Sequence, residues 1–152
     1  MNQDNNKKEE FDIEQVKVGR TREGTIMEVL AILLLAVTWT IGLTKHQSAS
    51  ATGEGLLGKC IVFSIIVVLL LVASYFPKFF SNSHQLSNMR QVLLTVRMIR
   101  VLAIEFALTV LFMVISGGLM SPQYDCSWVY NIIMIVILLT ALLFTILIYK
   151  AK

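Results

Sequence analysis

The chain has 152 residues, 56% of them hydrophobic and 15% charged, with a mean hydropathy of +0.72 and a formal net charge of +3. Soluble domains carry about 45–50% apolar and about 25% charged residues. That departure excludes an ordinary water-soluble globular enzyme, and the length leaves room for one domain, built from apolar runs long enough to enter a bilayer.

Residues 1–25 are dense in charge of both signs and poor in apolar side chains, so they form a tail that cannot bury enough surface to fold alone. Apolar runs follow at 26–43 (interrupted by Glu28), 60–76, 101–120 and 129–149. They predict an all-α integral membrane protein with four transmembrane helices, about 26–44, 60–76, 97–120 and 129–149, which together form the domain 26–152. Gly53, Gly55 and Gly58 mark turns in the polar loop between the first two runs, Pro77 closes the second, and Gly117-Gly118 with Ser121-Pro122 closes the third. Before the third run, Leu86, Met89, Leu93 and Val96 recur at spacings of three and four, with Ser83 as an N-cap. The third helix is therefore expected to start near Leu86 and to run for about 35 residues, its first part outside the hydrocarbon. That part reads as an interfacial extension, with a docking face for a cytosolic partner as the alternative.

The cations set the orientation. Eleven of the 13 Lys and Arg fall in the amino tail, in the second link with its helix entrance (Lys78, Arg90, Arg97, Arg100) and at the carboxyl end; Lys45 and Lys59 are on the other side. The positive-inside rule then puts both termini and the extension of the third helix in the cytoplasm. Trp39, Tyr124, Trp128 and Tyr130 form an outer aromatic belt, and Tyr75, Phe76, Phe79 and Phe80 an inner one. Ala49-Ser50-Ala51 has the A-x-A form of a signal-peptidase site, but the tail before it is as acidic as it is basic, so the first run reads as a retained helix.

This topology removes most site chemistry. His46 and His84 lie on opposite sides, and the two cysteines have neither zinc-site nor C-x-x-C spacing. The outer-loop glycines lack the Lys-Ser/Thr ending of a phosphate cradle, and no Ser or Cys has a His at usable proximity on its own side. Topology already explains the positive charge, so nucleic acid is not an expected partner. No cofactor, metal or catalytic residue is expected.

What remains is a candidate intramembrane cluster of Glu28, Arg97, Arg100 and Glu105 at the cytoplasmic third. Charges there are costly and face protein or water. Arg97 and Arg100 precede Glu105 by eight and five residues, so Glu105 has no i,i+3 or i,i+4 partner on its own helix. Ala103 and Ala107 form a small-x-x-x-small face on the other side, which makes the third helix central. Three readings stand: an interhelical latch, a protonatable transport site at Glu105, or arginines snorkelling to lipid phosphates.

The stretch from Lys17 to Trp39, with its basic approach, Glu28 and Trp39, resembles the opening of small bacterial membrane proteins. Their domain of unknown function also forms the amino-terminal part of the sporulation-delaying-toxin immunity protein. Gly53-Glu54 resembles the family's Gly-Glu, Phe76-Pro77 and Arg97-Met98-Ile99-Arg100 its Phe-Pro and Arg-x-x-Arg elements, and Gly58-Lys59 the ends of its Gly-x-Lys without the intervening residue. The likeness covers residues 17–110. The family's outer-loop Pro/His motif is replaced here by HQSASAT, as in a divergent member. The resemblance implies a non-enzymatic protein of the bacterial inner membrane, in envelope maintenance or toxin resistance. Its expected partners are the lipid bilayer and another membrane protein or a second copy of itself. The alternative is a small proton-coupled solute carrier using Glu105. The size and helix count are similar to small multidrug exporters, whose buried Glu lies instead in the first helix.

Under this topology Cys60 and Cys126 both reach the oxidising outer side, where a disulfide between them would persist. The reading that the residues favour over this bridge is two unpaired thiols behaving as small hydrophobes, since thiols on different helices pair only where their Cα atoms come within about 7 Å.

Overall fold

The computed structural model describes residues 21–48, 54–76, 89–118 and 127–151. They form four helices and no other regular element: α1 (Arg22–Ser48), α2 (Glu54–Ala73), α3 (Met89–Gly118) and α4 (Ser127–Lys150). Three have a stretch long and apolar enough to cross a membrane, Arg22–Thr44, Met89–Ser116 and Trp128–Lys150, whereas the apolar part of α2 is the shorter Gly58–Ala73. Of the four expected spans, three therefore reach spanning length.

The boundaries follow local chemistry. Thr21 caps α1, its hydroxyl accepting the Gly24 N–H at 3.2 Å, and Glu23 stands in the positive first turn. The helix starts before the apolar run because this cap lies outside the run. Gly55 and Gly58, expected as turns, lie inside α2. Near lipid an unpaired peptide group costs more than the roughly 1 kcal/mol of a helical glycine, so the helix runs through them. α2 ends at Ala73, earlier than expected, and a tight turn follows in which Tyr75 N–H bonds Val72 O and Phe76 N–H bonds Ala73 O. α3 has 30 residues and is about 45 Å long, more than the ~30 Å of a hydrocarbon core. Its expected first turn at 86–88 and the Ser83 cap lie outside the described residues, as do Ala49-Ser50-Ala51, His84 and residues 1–20 of the tail.

α3 is the centre of the bundle. It packs against each of the other helices; α1 and α2 also touch, and α4 packs chiefly on α3. The contacts lie in levels along the antiparallel bundle. At one level Cys60 meets Val110 and Val114, with Ile41 and Phe63 against them. At the next, Val67 meets Ala103 and Ala107, with Leu34, Leu71 and Phe106 closing over them. The two alanines thus admit α2 closely, as the small-residue spacing predicts. Polar side chains inside the bundle bond to neighbouring turns or helices. The Thr38 and Thr109 hydroxyls donate to Leu34 O and Glu105 O, and Trp39 Nε1 donates to Ser64 Oγ at 3.0 Å. The outer surface of α4 is almost entirely exposed apolar side chains, including Ile135, Leu138, Leu139 and Leu142. A face that large and continuous belongs against lipid or another protein.

Candidate functional site

Three helices meet at the end where α1 and α3 begin and α2 finishes. Glu28 is on the second turn of α1, Arg100 is a third of the way along α3, and Tyr75 is in the turn after α2. Arg100 Nη2 stands 2.9 Å from Glu28 Oε1 as an ion pair, and the Tyr75 hydroxyl donates to Glu28 Oε2 at 2.5 Å. The Arg100 guanidinium also lies over the Tyr75 ring, 5.7 Å from its centroid. The Arg100 and Glu28 side chains are 6% and 15% exposed. Two opposite charges so enclosed suppress each other's desolvation cost only as a pair, which makes each dependent on the other.

The expected cluster divides into three. Glu28 and Arg100 come together. Arg97 pairs instead with Glu23 on the first turn of α1, both largely exposed. Glu105 faces α4, where Thr140 Oγ1 donates to its Oε1 at 2.6 Å. The other oxygen, Oε2, is buried without a hydrogen-bond partner among the described residues, beside a groove of about 320 Å³ between α3 and α4 lined by Leu108, Phe112, Ile132 and Val136. The eight-residue and five-residue spacings explain the split, since they turn the arginines and Glu105 to different neighbours.

α4 is held at both ends. Gln91 Nε2 donates to Ile148 O at 3.2 Å, and Ser116 Oγ and the Tyr130 hydroxyl are 2.7 Å apart, with the Tyr130 ring edge-on to Phe112. Cys60 is buried at the level of Val110; Cys126, with which a disulfide is the candidate pairing, lies outside the described residues.

Sequence reasoning missed Tyr75, Thr140 and Gly24. Tyr75 reads as an interfacial aromatic, and its hydroxyl carries no sign in sequence of a carboxylate on α1. Thr140 is one hydroxyl in an apolar run, and its depth relative to Glu105 follows only from the pairing of α3 with α4. Gly24 has its Cα against the Arg100 guanidinium, a closeness that only the assembled bundle shows.

No family model, no curated protein and no solved structure matches this chain.

Proposed function

We propose that this chain is a non-enzymatic four-helix protein of the bacterial inner membrane, with both termini in the cytoplasm, that works by binding another membrane component in envelope maintenance or toxin resistance. In this reading α2 completes the fourth span, with its polar first turn at the outer boundary. The family resemblance of residues 17–110 motivates the biological setting. The observation that carries the binding role is the use made of the buried charges. Glu28 and Arg100 are spent on each other and on Tyr75, and Glu105 is tied to Thr140, so these groups hold helices together rather than face a substrate. The exposed apolar side of α4 offers a surface for a membrane-embedded partner.

A second reading keeps one observation in its favour. Glu105 Oε2 is buried without a partner beside the groove between α3 and α4, where a carrier would present a carboxyl to a proton or solute. Liposomes containing the purified chain and a pH-sensitive dye separate the two. Proton entry under an imposed gradient should equal that of empty liposomes. Entry that is faster with the chain and lost in Glu105→Gln establishes the carrier and removes the binding reading.

A further inference from the structure

Four arginines converge where α1 begins. Arg22, Arg90, Arg97 and Arg100 line a cavity of about 540 Å³ between the first turn of α1 and the first turns of α3. Among the described residues two carboxylates pair with these four cations: Glu23, held by Arg97, and Glu28, held by Arg100. Arg22 and Arg90 have no carboxylate partner among the described residues. Arg100 is 5% exposed, lines the cavity, and has its Nε buried without a hydrogen-bond partner among the described residues. A buried guanidinium N–H without an acceptor marks a place where an acceptor is missing. The first turn of α1, where Gly24 lies against the Arg100 guanidinium, adds the positive end of its dipole.

The rest of the wall is apolar. Met27, Leu93 and Leu94 face the same cavity, and Leu93 is exposed. A ligand suited to both parts carries anionic oxygens at one end and hydrocarbon at the other. The cavity also lies at the depth where such a molecule would be found, since the apolar stretch of α1 starts at its rim.

We propose that this cavity binds the phosphate group of an anionic phospholipid. Arg22 and Arg90 supply charge that no carboxylate among the described residues pairs, the Arg100 Nε–H donates from the buried side, and the glycerol end lies along Met27 and Leu93. Guanidinium groups suit this task because their planar fork matches phosphate oxygens. The proposal rests on the bilayer-embedded reading, and it gives the Glu28–Arg100 pair a second role, holding Arg100 in the cavity wall.

The test uses the full-length chain, stripped of lipid in mild detergent and titrated by native mass spectrometry with phosphatidylglycerol or phosphatidylcholine, each with and without millimolar inorganic phosphate. One phosphatidylglycerol should bind about tenfold more tightly than phosphatidylcholine. The Arg22→Gln/Arg90→Gln variant should lose about that tenfold, while Lys59→Gln, at the far end of the bundle, keeps it. Both arginines are exposed, and unchanged helical circular dichroism verifies that the variant is folded. Equal affinity for the two lipids, or no loss in the double variant, overturns the proposal. Displacement of the lipid by inorganic phosphate identifies a soluble anion as the ligand and overturns the lipid assignment. In parallel the chain is placed in nanodiscs. Failure to enter them overturns the bilayer reading and this proposal together, whereas entry without preference for the anionic lipid overturns this proposal alone.

Discussion

Gly24 and Arg100 meet so closely that a Cβ on residue 24 would overlap Nη1 of Arg100 and stand 2.7 Å from its Cζ. The guanidinium of α3 therefore rests on the first turn of α1, between that turn and Glu28 one turn further on. Arg100 is the point at which the sequence separation between α1 and α3 is closed.

This contact reverses the usual effect of a substitution. Glycine to alanine in a helix stabilises by about 0.5–1 kcal/mol when the space is open. At Gly42 nothing lies within 4 Å of the added carbon, and Gly42→Ala should show that gain. Gly24→Ala instead pushes Arg100 away from Glu28 and should destabilise by about 1–3 kcal/mol. Thermal unfolding of the two variants in the same detergent checks this. Equal stabilisation by both would mean that the Arg100 side chain is not held against α1 by Glu28.

The bond from Thr140 to Glu105 makes a second prediction. Thr140→Val removes the donor to Oε1 and leaves the carboxyl, whose other oxygen is already without a partner, with no bond from α4. The loss should be about 1–2 kcal/mol. Thr145→Val is the control, since that exposed hydroxyl bonds only Ala141 O on its own helix, and it should be nearly neutral. Matching effects of the two substitutions would count against any special role for Glu105 in docking α4.

Much of the helical layout is legible in the sequence, and much of the site is not. The apolar runs locate α1, α3 and α4 because lipid demands long uninterrupted hydrocarbon, which composition displays directly. The small residues Ala103 and Ala107 mark the side of α3 that α2 approaches. The ends of α1 and α2 are less legible, because Thr21, Gly55 and Gly58 act through hydrogen bonds and local cost rather than hydropathy. The four charged residues stand out one by one, since each is expensive in its setting, but their pairing depends on helix rotation. A rotation of one residue, about 100°, decides whether an arginine meets Glu28 or Glu23. Tyr75 and Thr140 carry no charge and so give no warning of their role.

Orientation carries a third prediction. Arg22, Arg90, Arg97, Arg100 and Lys150 lie at one end of the bundle, and six more of the 13 Lys and Arg precede α1, link α2 to α3 or follow α4 in the sequence, so that end should face the cytoplasm. Alkaline phosphatase, which becomes active only after export, should stay inactive in intact cells when fused after Lys152. The same enzyme inserted after Ala51 should be active. The opposite pattern would invert the chain and move the arginine-lined cavity to the outer face.

The central claim is that Glu28 and Arg100 are one interhelical unit, and a double-mutant cycle on the full-length protein tests it most directly. Glu28→Gln strands a guanidinium only 5% exposed, and Arg100→Gln strands its carboxylate, so each single change should cost about 3–5 kcal/mol. The double variant should cost clearly less than their sum, with a coupling of about 1.5 kcal/mol or more. The Glu23–Arg97 pair, 67% and 53% exposed, is the internal standard, with a coupling of about 0–1 kcal/mol that fades at high salt. Additive effects for Glu28 and Arg100, no larger in coupling than those of the exposed pair, would contradict the account.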